Sequence, residues 1–522
     1  MEGKNFVTGF VGKVNKPLSI VVIGAGMGGL SAAARLAKVG HHVTVVEAAD
    51  VPGGKCRREW IGRYAFDTGP TLLTLPAVYR DLFARTGRHL GMEIKLQSVD
   101  PSFDYRFADG KRIKFANLSR KQTLANIEEV LGEDASNEWD AILRRAEAMW
   151  DISRTPFIES ELKSPLSLLK RPHLLRDFKV IAPHATLRDF APTHSHLGAI
   201  LDRYATYSGS DPRRAPAVLA TIAFIEEAFG AWHVEGGLGL LAEKLHQRCE
   251  SLGVTMKYSQ RVDEILIDRN CVSGVRLAGG EEIAADVVIS NADAGQTYSQ
   301  LIRTHSRRTR RVQKNIAATQ PSVAGFSILL GLRPGLSLEH HTVLFPADYN
   351  DEFASIFDRK APAVRPAIYL CAPNDPTMVK AEGHQSVSIL VNVPIHSVEA
   401  SQGFDWSNKE FNRSYAASIL EQIAEHGIPI HEYIDVMEIR TPLSLQESAM
   451  APGGAIYGTS SNGPKAAFMR ARNRSHIKNL YLVGGSSHPG GGLPLVALSG
   501  EMVYDAIMEP EQSATSSQSS TH

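Results

Sequence analysis

The sequence predicts an α/β protein. A parallel sheet is assembled from separated stretches of chain, and a second, α+β domain fills the insertions between them. Three observations predict this. Residues 18–23 and 42–46 are short Ile- and Val-rich runs of the kind buried in parallel sheets, and a helical stretch at 29–39 separates them. Two more such runs, 286–290 and 480–483, come far later in the chain. The intervening blocks read differently: 101–229 as mostly helical, and 300–474 as mixed, with strands at 324–330 and 386–393.

The expected organisation is a lead-in at 1–17, a nucleotide-binding domain from 18–100, 230–299 and 475–510, a second domain from 101–229 and 300–474, and a disordered Ser- and Thr-rich tail at 511–522. Before the strand 286–290, the runs 255–259, 261–268 and 272–277 read as a hairpin-like piece, with turn residues at Arg269-Asn270 and Gly279-Gly280. The 522 residues suffice for a large core, and 56 Lys and Arg balance 56 Asp and Glu, so no nucleic-acid partner is indicated. Cys56, Cys249, Cys271 and Cys371 are far apart and form no CxxC pair, so the spacing points to neither a zinc site nor a disulfide framework and fits a reducing compartment. Residues 1–17 lack the apolar core of a secretory signal, and no run reaches the roughly 20 apolar residues of a spanning helix, so the expected location is cytoplasmic.

Between the first strand and helix lies Gly24-Ala25-Gly26-Met27-Gly28-Gly29. Gly24, Gly26 and Gly29 make the spacing that serves a tight turn, close backbone approach to a pyrophosphate, and close helix–strand packing. The helix N-terminus then offers unpaired N–H groups to the phosphates. Glu47 ends the second strand, 18 residues after Gly29, where a carboxylate accepts from a ribose 2′-hydroxyl and repels a 2′-phosphate. The ligand is therefore NAD or FAD. Pro52-Gly53-Gly54-Lys55 follows directly, with Lys55 a point charge for a longer dinucleotide. The strand 480–483 enters Gly484-Gly485-Ser486-Ser487-His488-Pro489-Gly490-Gly491-Gly492-Leu493-Pro494, with a helix expected over 495–507. Two Gly-rich strand–helix turns at opposite ends of one chain fit FAD, one at the pyrophosphate and one at the isoalloxazine ring. The fold class is then a discontinuous Rossmann-type FAD-binding domain with an inserted α+β substrate domain. His488 is a candidate acid or base, or else it shapes its turn.

These motifs resemble a known family. With Phe66-Asp67-Thr68-Gly69-Pro70-Thr71, Val234-Glu235-Gly236-Gly237-Leu238, Val288-Ile289-Ser290-Asn291-Ala292-Asp293, Leu329-Leu330-Gly331-Leu332 and His340-His341, they are similar to carotenoid desaturases of the bacterial phytoene desaturase type, within the flavin-containing amine oxidase superfamily. The stretch Arg203-Tyr204-Ala205-Thr206-Tyr207-Ser208-Gly209 with Trp232-His233 resembles the hydroxycarotenoid 3,4-desaturase subgroup. Lys55 stands where the family usually has Arg, and Leu495 where a Gly is common.

The resemblance implies FAD-dependent removal of hydrogen from phytoene or a hydroxylated carotene in carotenoid biosynthesis. A hydride would go to flavin N5, and oxygen or a quinone would reoxidise the flavin. It implies cofactor contacts at Gly24, Gly26, Gly28, Gly29, Glu47, Gly53, Gly54, Lys55, Gly69, Val262, Gly484, Gly485, Gly492, Leu493, Pro494 and Leu495, with Val262 at the adenine. Glu235 is a candidate base, or else it orients the helix after Gly236-Gly237. A lipophilic substrate implies peripheral contact with a membrane surface. Leu162 to Ile181, mixing Leu and Phe with Lys163, Lys170, Arg171, Arg176 and Lys179, suits that contact. A second candidate is the cluster Arg303, Arg307, Arg308, Arg310, Arg311 and Lys314. One alternative is another flavin oxidase, such as an amine or protoporphyrinogen oxidase, which shares the nucleotide site and differs in the insertions. Another is a non-catalytic prenyl-protein escort factor, which shares the fold without using FAD as a catalyst.

Overall fold

The apolar run after Pro17 forms the middle strand of a five-stranded parallel sheet. The sheet is seen in a computed structural model that describes residues 16–161, 174–304, 306–463 and 466–518. Its strand order is Leu480–Leu482, Val287–Ser290, Ser19–Ile23, His42–Val46, Thr255–Lys257. Ile20 sits level with Val43 on one side and Val287 on the other. Alternation divides the middle strand between two cores. Ile20 and Val22 face the helices Met27–Lys38, Gly239–Ser251 and Leu493–Gln518. Val21 and Ile23 face a three-stranded antiparallel sheet, where Val262, Ile265 and Val275 are buried against them. Being covered on both faces is why this strand reads as an unbroken apolar run.

The hairpin expectation needs one correction. The strands Val262–Asp268 and Cys271–Leu277 pair antiparallel through a two-residue turn, Arg269-Asn270, with φ of 46° and 66°, and a third strand, Glu282–Ala284, joins them. Thr255–Lys257 does not join that sheet. It runs parallel to His42–Val46 at the edge of the central one, and the preceding helix Gly239–Ser251 packs in the same core as Val43 and Val45.

The second domain is built on a seven-stranded sheet in the order Ile434–Arg440, Ala324–Leu332, Gln385–Val393, Ile368–Cys371, His341–Phe345, Phe103–Phe107, Arg112–Phe115. Two short strands, Phe103–Phe107 and Arg112–Phe115, open the block 101–229, and most of its remaining described elements are helices. Phe103 and Tyr105 are buried and stack on each other, while Asp104 on the opposite face takes charged hydrogen bonds from Arg106 and Arg112. Helices Glu133–Phe157, Ser195–Thr206 and Thr221–Phe229 cover one region of this sheet and Lys409–Glu425 another.

Two basic segments are candidates for a membrane surface, with solvated faces packed on the core as the other reading. Of Leu162 to Ile181, residues 162–173 lie outside the described residues, and the remainder is the helix Leu174–Ile181. The second cluster lies on and before the helix Arg307–Ala317, whose Val312 and Ile316 pack inward and whose neighbour Arg303 pairs with Glu264 at 3.5 Å. Among the described residues, no helix is long and apolar enough to cross a membrane.

Candidate active site

One cavity of about 1610 Å³ runs from the two Gly-rich turns into the second domain. Pockets for one drug-sized ligand are typically about 300–1,000 Å³, so this volume has room for a dinucleotide and a second long ligand together. Gly24, Gly26, Gly28, Glu47, Gly53, Gly54, Lys55, Gly69, Val262, Gly484, Gly485, Gly492, Leu493 and Pro494 all line it. Gly29, Leu495, Glu235 and His488 do not.

At the nucleotide end, Gly26 caps the helix Met27–Lys38. The Gly53 N–H donates to the Ala25 carbonyl at 2.9 Å, so the two glycine turns lie one on the other. Glu47 Oε2 accepts from the Ala25 N–H at 2.6 Å and Oε1 from the Ala49 N–H at 2.8 Å, which holds its carboxylate at the cavity edge. The residue that organises this end is Asn291, directly after the strand Val287–Ser290. Its Oδ1 accepts from the Gly29 N–H at 3.1 Å, and its backbone N–H donates to the Ile23 carbonyl at 2.8 Å. A Cβ on Gly26 would meet Asn291 Nδ2 at 2.5 Å, and one on Gly484 would meet Asn291 Oδ1 at 2.7 Å. Both turns are therefore glycine partly because this amide fills the space between them. Sequence reasoning did not single Asn291 out, although an Asn closing a buried parallel strand beside the point where strand order reverses is a readable signal.

Lys55 reaches across the domain boundary. Its Nζ donates to the carbonyls of Ala455 at 2.6 Å and Ile456 at 2.9 Å. Loss of hydration lowers its ammonium to about 8, against an upward pull from Asp293. Lysine in the unfolded chain titrates near 10.5, so between 8 and 10.5 the unfolded state holds more protons and the apoprotein gains stability as pH rises. Binding of an anionic dinucleotide has the opposite sign: it favours the charged ammonium, so its affinity is expected to fall as pH rises above about 8. Fluorescence titration with FAD from pH 7 to 9.5 checks this, and Lys55→Met is expected to flatten the profile.

The C-terminal turn is fixed from behind. Arg470, buried, donates to the carbonyls of Gly485 at 2.7 Å, Tyr457 at 3.3 Å and Thr459 at 2.8 Å. His488 is buried in the same turn. Its Nε2 bonds the Ser160 carbonyl at 2.9 Å, its N–H donates to the Ala471 carbonyl at 2.8 Å, and its own carbonyl accepts from Asn473 at 2.8 Å. Burial lowers its imidazole below the usual range. These bonds shape the turn and leave His488 off the cavity wall.

Glu235 is paired at the surface. It accepts from Lys95 Nζ at 2.6 Å and from Gln97 Nε2 at 2.7 Å, and those bonds hold its carboxyl below the usual range. The helix after Gly236-Gly237 is oriented instead by Asp67, which accepts from the N–H groups of Leu238 at 2.8 Å and Gly239 at 2.7 Å. Glu235→Gln is expected to leave kcat/KM within about twofold of wild type, since an exposed pair outside the cavity contributes little; steady-state kinetics check it.

On the second-domain side the wall is largely apolar, with Ile222, Ile225, Val343, Ile368 and Leu390. Arg203, Tyr207, Glu226 and Tyr369 interrupt it. Tyr369 OH bonds His341 Nδ1 at 2.8 Å and Thr71 Oγ1 at 2.9 Å. These side chains come from elements far apart in the chain and were not among the expected site residues.

A parallel-sheet nucleotide cradle that opens into an apolar chamber of a second domain is the layout of a two-domain flavin oxidoreductase. The chain belongs to the flavin containing amine oxidoreductase family, whose sequence profile matches residues 27–349. It is 31% identical to a hydroxyneurosporene desaturase of Rubrivivax gelatinosus, across 94% of this chain and 93% of that one. It is 30% identical to a neurosporene-forming phytoene desaturase of Cereibacter sphaeroides, across 92% and 93%. A 4,4'-diaponeurosporene oxygenase of Staphylococcus haemolyticus is 28% identical, across 94% and 96%. In fold, the chain resembles a redesigned putrescine oxidase (TM-score 0.64, 14% identity, 95% and 99% coverage) and an oxidoreductase from Methanosarcina mazei (TM-score 0.61, 19% identity, 94% and 100% coverage).

Proposed function

We infer that this chain is an FAD-dependent carotenoid desaturase, which removes hydrogen from a long isoprenoid chain to extend its conjugation. The observation that carries this is the single cavity joining both glycine turns to an apolar chamber, in a chain whose full-length relatives are named as desaturases and oxygenases of such substrates.

The residues present fit FAD. The first turn of the helix Met27–Lys38 would face the pyrophosphate with Gly24, Gly26 and Gly28 beside it, and Gly53, Gly54 and Lys55 opposite. Gly29 would allow the close packing behind them. Glu47 would accept from the ribose and Val262 would lie at the adenine. Gly69, Gly484, Gly485, Gly492, Leu493 and Pro494 would bound the ring, with Leu495 next along the helix. When bound, FAD supplies the hydride acceptor. The chain's own part is to hold the substrate in the chamber and keep water from it, which Ile222, Ile225, Val343, Ile368 and Leu390 do as a desolvated wall. The final electron acceptor is oxygen or a quinone, and anaerobic assays with and without added quinone distinguish them.

Incubating the holoprotein with phytoene, neurosporene and hydroxyneurosporene in liposomes tests the reading. The expected result is a product absorbing at longer wavelength. Peroxide release from amines with no new conjugation in any carotene overturns it.

The substrate's home in a bilayer supports peripheral membrane attachment. Arg176 and Lys179 are exposed on the helix Leu174–Ile181, which packs on Glu133–Phe157. Reversing both to Glu is expected to weaken binding to anionic vesicles by at least about tenfold, at about 1 kcal/mol for each cation near such a surface. Flotation with anionic and neutral vesicles checks this.

A further inference from the structure

Arg203 is an unusual residue for the wall of an apolar chamber. It lies on the helix Ser195–Thr206, lines the cavity, and is only 8% exposed. Four aromatic rings surround its guanidinium: Phe103 at 4.6 Å, Tyr207 at 5.1 Å, Tyr369 at 5.6 Å and Tyr105 at 5.9 Å. Ring faces stabilise the charge without using its N–H donors. A guanidinium has about five of these. Among the described residues its one hydrogen bond is a long one, Nη1 to Tyr105 OH at 3.5 Å. A desolvated cation with unused donors, on a cavity wall, calls for an acceptor from within the cavity.

Its neighbour narrows the chemistry of that acceptor. Glu226, on the helix Thr221–Phe229, is buried and also lines the cavity. It accepts from Tyr204 OH at 2.7 Å and from Tyr207 OH at 3.0 Å, and Tyr207 is also one of the rings around Arg203. A carboxylate has about four lone-pair positions, so acceptor capacity remains. Burial holds this carboxyl above its usual range, against the pull of Arg203 and the two phenols. Tyr349, on the same wall, has a buried hydroxyl with no partner among the described residues.

We propose that Arg203 and Glu226, bridged by Tyr207, bind a hydroxyl group carried by the otherwise apolar substrate, so that this enzyme prefers a hydroxylated acyclic carotenoid to the hydrocarbon. A hydroxyl accepts from the guanidinium and donates to the carboxylate. A hydrocarbon leaves Arg203 without an acceptor, and a carboxylate ligand sets a second negative charge against Glu226. This proposal rests on the carotenoid reading above and sharpens it to a substrate class.

The test uses the holoenzyme with its flavin reduced under anaerobic conditions, so that ligands bind without turnover. Protein fluorescence quenching then gives Kd for neurosporene and for hydroxyneurosporene. Wild type is expected to bind the hydroxylated ligand tenfold to a hundredfold more tightly, on the order of a hydrogen bond to a buried charged group. Arg203→Met is expected to remove that preference by weakening the hydroxylated ligand alone. Arg203→Lys is expected to retain part of it, and Glu226→Gln to reduce it with FAD still bound. Equal binding of the two ligands by wild type overturns the proposal. So does an equal loss for both in Arg203→Met, which marks a packing role. Should Arg203→Met not fold, the wild-type ratio and Glu226→Gln still decide. A wild type that binds with the expected preference yet desaturates neither ligand refutes the desaturase reading and leaves the hydroxyl site standing.

Discussion

Replacing Gly29 with alanine is expected to yield a protein that purifies without flavin. Gly29 lies in the first turn of the helix Met27–Lys38, where a Cβ would sit 2.4 Å from the Gly24 carbonyl oxygen, 3.1 Å from Asn291 Cβ and 3.2 Å from Val22 Cγ1. The first of these is a backbone atom, so no rotamer change relieves the contact. The Gly24 turn is itself tied to the second strand, because its N–H donates to the Val46 carbonyl at 2.8 Å. Relief therefore requires the helix to back away from the turn, taking its free N–H groups out of reach of a pyrophosphate. The Gly29 N–H bond to Asn291 Oδ1 would go with it. Overpacking of this kind costs the fold about 1–3 kcal/mol. The FAD Kd is expected to rise at least about a hundredfold, equivalent to about 2.7 kcal/mol. The flavin-to-protein absorbance ratio and a titration of the apoprotein with FAD measure both effects. Gly62→Ala is the control: its φ is +60° but nothing lies within 4 Å of the added Cβ, so that variant is expected to stay yellow. A flavin-replete Gly29→Ala protein would refute the steric argument.

What the chain's local pattern revealed was whatever a single strand–turn–helix unit contains. The glycines, the helix they open and Glu47 lie within 24 residues, from Gly24 to Glu47, and their spacing alone implies a nucleotide cradle. The part played by Asn291 was not legible in that way, because it contacts Gly29 across 262 residues. Phe103–Phe107 shows the same limit in the sheet. Its Phe-Asp-Tyr-Arg-Phe alternation is strand-like, but its parallel partner His341–Phe345 comes more than 200 residues later. Glu235 was singled out because it precedes two glycines and a helix. The strand Trp232–Val234 pairs with Leu96–Ser98, and that pairing brings Lys95 and Gln97 to Glu235 and turns it away from the cavity. Arg203 and Glu226 sit in ordinary helical patterns. Only the packing of Ser195–Thr206 and Thr221–Phe229 over the second sheet puts them on one wall.

Arg470→Met is expected to weaken both the fold and the hold on flavin, although Arg470 is not on the cavity wall. Its guanidinium donates to three backbone carbonyls, two on the segment Tyr457–Thr459 and one at Gly485, so it ties the second domain's edge to the C-terminal turn. No acidic side chain pairs with it among the described residues. The charge is balanced by carbonyl dipoles, and burial lowers the guanidinium to about 10. Methionine keeps most of the volume and supplies no donor, which leaves buried carbonyls unpaired at about 1–3 kcal/mol each, partly relieved by relaxation. The expected loss is roughly 2–4 kcal/mol of stability. The freed segment continues back into Ala455 and Ile456, the carbonyls that hold Lys55, so the cation opposite the Gly24 turn loses its anchor as well. Flavin should therefore leave before the protein unfolds. In a thermal ramp, flavin fluorescence is expected to rise several degrees below the circular-dichroism transition in Arg470→Met, whereas the two coincide in wild type. Arg470→Lys, with three donors on one ammonium, is expected to fall between them. Coincident transitions in Arg470→Met would mean that the C-terminal turn keeps its shape without this staple.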